Sequence, residues 1–239
     1  MLELYLDLTS QPCRAVYLFA KKNDINFEFR EVNLSKGEQY SPEFKSVNPL
    51  RNVPTLKDGD FTLAESIAIL LYLASKFNTP DHWYPADLEK RARVDEYLSW
   101  QHSSVRAHSS RVFCYKALMP ILFGNETDPE KMEAAMKELR TTLDQFEEKF
   151  LQDKPFIVGD EISLADLIAI VELMQPVGAG VDTFKDRPKL DAWQGRVVAA
   201  LGTELFQDTH KYILNCMNMK REPLNPVMVE ALKTKLRFI

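Results

Sequence analysis

The stretch from Arg51 to Leu70, Arg-Asn-Val-Pro-Thr-Leu-Lys-Asp-Gly-Asp-Phe-Thr-Leu-Ala-Glu-Ser-Ile-Ala-Ile-Leu, constrains this chain most. Val53-Pro-Thr-Leu56 and Phe61-Thr-Leu-Ala64 flank an Asp58-Gly59 turn signal, which predicts a β-hairpin. Ser66 is a preferred N-cap type and precedes the apolar run Ile67 to Leu73, so the unit reads strand, turn, strand, helix. Proline lacks the amide that a ladder needs, so Pro54 at a strand start belongs at an edge or a special site. If the Val53-Pro54 bond is cis, the Val53 backbone turns outward and can pair with an extended peptide as an added strand does. The helix start at Ser66 then offers free N–H groups and a positive dipole end to a carboxylate. The other reading is an ordinary hairpin with a trans proline and a capped helix. The stretch alone leaves both open.

The residues before it set the context. Leu2-Glu-Leu-Tyr-Leu-Asp-Leu8 alternates strictly, as a half-buried strand does. Thr9-Ser10-Gln11-Pro12-Cys13 starts a helix with Pro12 in its first turn, Ala15, Val16, Phe19 and Ala20 on its apolar face, and Asn23-Asp24 at its end. Phe27 to Val32 alternates again, and Lys36 to Ser46 is weakly helical. The order β-α-β-α-β-β-α fits a thioredoxin-like half ending near Phe77.

After it, Asn78-Thr-Pro-Asp-His-Trp-Tyr-Pro85 carries two prolines and little periodicity, which marks a linker over 79–87. Everything beyond is helical in pattern. Leu88 to Met119 reads as one long helix with a break near Pro120, and Asp128-Pro129 starts another. In that second helix Met132, Ala135, Met136, Leu139, Leu143, Phe146 and Phe150 form one apolar stripe. Ser163-Leu-Ala-Asp166 is a capping-box variant with Ile162 and Leu167 at the staple positions. The helix from Leu164 to Met174 is apolar nearly all round, so it should be the buried centre of a second domain. Further helices are expected from Arg187 and over Glu204 to Met217. The division is 1–78, a thioredoxin-like domain, and 88–239, an all-helical one.

A net charge of −5 argues against a nucleic-acid partner, which would require a basic face. The apolar runs are too short for a membrane span, and Glu3 and Asp7 interrupt what a secretory signal would keep apolar. Cys13, Cys114 and Cys216 are widely spaced with no metal-ligand pattern, as in a reduced cytoplasmic protein. His102 and His108 do not share a helical face with Cys114, so no metal is expected.

Val-Pro followed by Glu-Ser-Ile-Ala-Ile-Leu resembles the glutathione-binding half of the cytosolic glutathione transferases. The segments Leu-Glu-Leu-Tyr-Leu-Asp-Leu-Thr-Ser-Gln-Pro-Cys-Arg-Ala, Arg-Ala-Arg-Val-Asp-Glu-Tyr-Leu and Pro-Val-Gly-Ala-Gly are similar to the theta class in particular. The resemblance spans essentially the whole chain. It implies a homodimer, glutathione as co-substrate, and attack of its thiolate on alkyl or benzylic halides and epoxides, with reduction of organic hydroperoxides as a second activity.

That chemistry makes a thiolate near pH 7 from a thiol whose free pKa is about 8.5. A shift of about two units requires ~2.7 kcal/mol in favour of the anion. A hydroxyl donating to the sulfur supplies roughly 1.5–3 kcal/mol, and a partly buried helix N-terminus up to ~2 kcal/mol. Ser10 stands where both would act, although a serine at a helix start is also a plain N-cap. Leu6 falls about where other classes carry a first-strand tyrosine; Tyr5 should face the opposite side of the sheet and pack. Ser10-x-x-Cys13 echoes a dithiol motif with its first thiol replaced, so disulfide exchange is disfavoured and Cys13 should be buried.

The resemblance further implies that Glu65 pairs the α-amino group of glutathione, that Ser66 binds its γ-glutamyl carboxylate, and that the Val53 backbone, before Pro54, pairs with the cysteinyl unit. On the glycyl side Gln39 and Asn52 stand where theta relatives often carry a histidine and a lysine, which removes two possible cations. Ser103, Ser104, Val105 and Arg106 match a stretch that lines the theta pocket. A guanidinium at Arg106 could stabilise an anionic leaving group or the glutathione carboxylate; the plain alternative is a solvated helix arginine. Leu232, Lys233 and Leu236 lie on a C-terminal helix that theta relatives fold over the active site, against the alternative of a helix packed elsewhere. The rival functions are a non-catalytic protein of the same fold that holds glutathione or apolar ligands, and a glutathione-dependent thiol oxidoreductase.

Overall fold

The computed structural model describes residues 1–120, 124, 126–217 and 225–236, less the side chains of Met228, Ala231, Leu232, Lys235 and Leu236. Strands β1 (Leu2–Leu6), β2 (Glu28–Glu31), β3 (Thr55–Asp58) and β4 (Phe61–Ala64) form one sheet in the order β2-β1-β3-β4. The first pair is parallel and the other two are antiparallel. Alternation along β1 sends Leu2, Leu4 and Leu6 into the core. Tyr5 faces the other way and packs on Phe44 of α2 (Pro42–Val47), with ring centroids 5.9 Å apart. Helices α1 (Gln11–Lys22) and α3 (Ser66–Lys76) cover the core face. The hairpin turns at Gly59-Asp60, where Gly59 takes φ +62°, a conformation glycine adopts without a Cβ penalty.

The remainder is helical: α4 (Leu88–Trp100), α5 (Val105–Phe113), α6 (Pro129–Gln145), α7 (Leu164–Gly178), α8 (Pro188–Leu201), α9 (Thr203–Leu214) and α10 (Pro226–Leu236). The molecule is thus a four-stranded thioredoxin-like sheet with helices followed by an all-helical domain. As the apolar pattern requires, α7 is the centre: every residue from Leu164 to Gly178 except Val177 is buried. A Cβ on Gly178 would lie 2.5 Å from the Ile213 carbonyl, so glycine is what lets α9 approach α7. The stripe on α6 and its continuation also packs inward, through Ala135, Leu139, Leu143, Phe146 and Phe150. One apolar cluster runs from the sheet through α1 into this bundle.

Two expectations are corrected. The long helix over 88–119 does not run to Pro120: it breaks at Gln101–Ser103, a single 3₁₀ turn, and Ser104 leaves helical geometry at φ −125° and ψ −93°. The Ser104 hydroxyl donates to the Trp100 carbonyl at 2.5 Å, the kind of serine back-bond that bends helices. Ser66, expected as the N-cap of α3, is its first helical residue, and Glu65 is the N-cap, at φ +69°. The proline-bearing connector is also more than a tether. Its Trp83 is fully buried edge-on to Phe19, and His82 Nδ1 lies 2.6 Å from the Ile162 carbonyl.

Candidate active site

Three local structures meet at one cavity of about 390 Å³. The first is the start of α1. Ser10 is its N-cap and is half-buried; its backbone N–H donates to the Asp7 carbonyl at 3.0 Å, and its hydroxyl makes no capping hydrogen bond. Pro12 occupies the second helical position and has no N–H, which removes one of the two amides an N-cap hydroxyl ordinarily accepts from. Arg14, fully buried, donates to the carbonyls of Leu8 and Thr9 at 3.0 Å each and so fixes the chain that leads into Ser10. Burial pushes the Cys13 thiol up to about 12, against smaller opposing pulls from the Asp7 backbone and the Ser10 hydroxyl. Cys13 is therefore an inert core thiol, as expected.

The second is the turn before β3. The Val53-Pro54 peptide is cis. The Asn48 side-chain amide donates to the Asn52 carbonyl at 3.0 Å, to Asn52 Oδ1 at 2.7 Å and to Thr55 Oγ1 at 2.9 Å, pinning the turn from behind. The third is the start of α3, where Glu65 is exposed and Ser66 is buried at the N-terminal turn. The Asn52 amide donates to Glu65 Oε1 at 3.4 Å and joins the second and third groups.

Ser10, Gln39, Asn52, Val53, Pro54, Glu65, Ser66 and Arg106 all line this cavity. Ser103, Ser104 and Val105 do not: Ser103 is exposed, the Ser104 hydroxyl is committed to Trp100, and Val105 is fully buried in the core. Near the tail, Asn225 N–H donates to the Ser35 carbonyl at 3.1 Å, one residue from Leu34 on the cavity wall. Lys233 is half-buried and pairs with Glu230 at 3.2 Å, whereas the side chains of Leu232 and Leu236 lie outside the described residues.

Arg51, Tyr40 and His102 also line the cavity, and sequence reasoning assigned none of them a role. Arg51 is the important omission. It takes φ +54° beside the cis peptide and brings a guanidinium to the side where Gln39 and Asn52 had appeared to leave none. His102 is held below the usual histidine range by burial and then by Arg106, so it is neutral near pH 7. The lining thus carries two arginines against the single acid Glu65, an attractive field for an anion on a chain of net charge −5. Among the described residues no group of three His, Cys, Asp or Glu side chains is placed to hold a metal, and no helix is long and apolar enough to cross a membrane.

A thioredoxin-like sheet joined to a helical bundle, with a serine-capped helix facing a cis-proline turn, is the arrangement of the glutathione transferases. Residues 4–75 match the family model "Glutathione S-transferase, N-terminal domain", and residues 111–200 match "Glutathione S-transferase, C-terminal domain". The chain is 55% identical to human glutathione S-transferase theta-1 over 231 residues, 97% of this chain and 95% of that one. The solved apo form of human glutathione S-transferase T1-1 superposes with a TM-score of 0.93 at 54% identity, covering 98% of this chain and 97% of that one. A human theta-class transferase solved with the glutathione conjugate of 1-menaphthyl sulfate gives 0.93 at 47% identity, over 99% and 98% of the two chains. The chain belongs to the glutathione S-transferase family of enzymes, and within it to the theta class.

Proposed function

We propose that this chain binds glutathione in the cavity and uses the Ser10 hydroxyl to stabilise its thiolate for attack on electrophilic carbon. The observation that carries this is the Ser10 hydroxyl itself, on the cavity wall at the positive end of α1 and making no capping bond. Glutathione sits with its α-amino group on Glu65, its γ-glutamyl carboxylate on Ser66 and the first amides of α3, and its cysteinyl unit along Val53. Arg51, Gln39 and Asn52 take the glycyl carboxylate, and Arg106 faces the anion that leaves. The fit is supported by the charges: Arg51 and a helix N-terminus for two carboxylates, Arg106 for the leaving anion, and one acid for one ammonium.

The thiol proton departs to solvent, and the thiolate displaces halide from carbon, forming S–C as C–X breaks, or opens an epoxide. With a hydroperoxide the thiolate takes the outer oxygen, and a second glutathione completes the balance as alcohol, water and glutathione disulfide. The segment 225–236 forms a lid over the glycyl end, which the Asn225–Ser35 hydrogen bond supports. Two such chains pair as a cytoplasmic homodimer, and the chain divides at 1–78, 79–87 and 88–239.

The test is glutathione turnover with an alkyl halide, an organic hydroperoxide and a mixed disulfide. Turnover of the first two without the third is expected. Glutathione binding without any turnover would favour a non-catalytic binding protein. Turnover of the mixed disulfide alone would favour a thiol oxidoreductase, which Ser10 in place of a thiol disfavours.

A further inference from the structure

Glu172 stands in the middle of α7, the most deeply buried of the described helices, and its side chain is 1% exposed. Apart from the capping Asp166 it is the only ionisable side chain of that helix. A carboxylate in such a place is strongly destabilising unless it is paired, because burial strips its hydration. Packing does not require it, because the turns on either side are filled by Ile168, Val171, Leu173 and Met174. What it meets is Arg106. Its Oε1 lies 3.4 Å from Arg106 Nη1, and the Arg106 side chain, 37% exposed, reaches the cavity wall.

Arg14 is the second cation acting on the same carboxylate, but its two terminal nitrogens donate elsewhere. It donates to Leu8 and Thr9 O, to Gln175 Oε1 at 2.7 Å and to Val171 O at 3.3 Å. Glu172 therefore sits between a buried guanidinium whose terminal nitrogens are bound to α7 and to the chain before Ser10, and one that reaches the cavity wall.

We infer that Glu172 is a positioning residue: its buried carboxylate holds the Arg106 guanidinium at the cavity wall, in place for the anion that develops on the electrophile. The inference rests on the proposed role of Arg106 in that reaction. A long arginine half in solvent samples many rotamers, and one charged hydrogen bond from a rigid helix removes most of that freedom before the substrate arrives.

The groups facing Glu172 are Arg106 from α5, Arg14 and the Gln11 amide from α1, and Tyr97 from α4. His210 of α9 faces Arg14 instead. Burial pushes the Glu172 carboxyl up to about 7, against the opposing pull of the two arginines. Above that pH the carboxylate is charged and the hold is complete; below it the acid is neutral and the hold is lost.

The test is a double-mutant cycle with glutathione and an alkyl halide, using the full chain. Glu172→Gln should lower kcat/KM by about threefold to thirtyfold, the range of directly coupled pairs. In an Arg106→Ala background the same change should have almost no effect. Equal losses in both backgrounds would overturn the inference alone and leave Glu172 a packing residue. Wild-type turnover in Arg106→Ala would overturn the role of Arg106 and the inference with it.

A second measurement leaves Glu172 in place, should its variant not fold. The ratio of wild-type to Arg106→Ala activity, followed from about pH 5.5 to about pH 8.5, cancels the thiolate ionisation common to both proteins. The ratio should fall toward one on the acid side of neutrality. A ratio independent of pH would overturn the hold.

Discussion

Ser10 and Ser163 are both helix N-caps, and their hydroxyls meet opposite surroundings. At the start of α7 the Ser163 hydroxyl donates to Asp166 Oδ2 at 2.8 Å, and the Ser163 N–H reaches the same oxygen at 2.9 Å. The other carboxylate oxygen takes the Ile157 N–H and the Trp193 indole N–H, each at 2.9 Å. All of this is buried. At the start of α1 the third helical residue is Cys13, an apolar thiol, and the second is Pro12, which has no amide. The Ser10 hydroxyl therefore makes no capping bond and lies half-exposed on the cavity. A serine becomes available for chemistry when the groups that would cap it are taken away. The acid at the third position of one helix, and the proline at the second position of the other, are the sequence difference that matters.

The larger effect is expected at α7. Asp166→Ala leaves the Trp193, Ile157 and Ser163 donors buried without an acceptor, and a buried network lost in this way costs about 4–5 kcal/mol. Chemical denaturation should show that loss with an unchanged slope, whereas the matching exchange at α1, Ser10→Ala, should cost under ~1 kcal/mol because no capping bond is lost. Equal losses at the two sites would mean that both serines serve folding.

A smaller effect is expected at α3, where Ser66 is the first helical residue. Ser66→Ala should weaken glutathione binding by about 1–3 kcal/mol in calorimetry, the cost of one missing partner to a charged group. Unchanged affinity would return Ser66 to a purely helical role.

Most of the frame was legible before the structure. Strict alternation placed β1, the Asp58-Gly59 signal placed the hairpin, and an all-apolar run placed α7 at the centre, because each is a local pattern with one stable burial. What escaped depends on contacts that no pattern encodes. The break at Gln101–Ser104 arises because one serine hydroxyl turns back on the Trp100 carbonyl, and no proline or glycine announces it. That break is also why Ser103, Ser104 and Val105 miss the cavity while Arg106, one residue further, reaches it. Helix α3 starts one residue earlier than the N-cap rule suggests, at Ser66, because Glu65 takes the N-cap position at a positive φ. Arg51 was in plain view beside Asn52, but only its backbone conformation next to the cis peptide brings it to the wall.

The role proposed for the Ser10 hydroxyl is read directly by the ionisation of bound glutathione. Thiolate absorbance in the ultraviolet, titrated against pH in the complex, should give a pKa about two units below the free value of about 8.5. In Ser10→Ala the pKa should rise by about one to two units while glutathione remains bound, since one hydrogen bond to a charge is worth roughly 1.5–3 kcal/mol. A bound thiol that ionises at the same pH in both proteins would contradict the claim that Ser10 makes the thiolate.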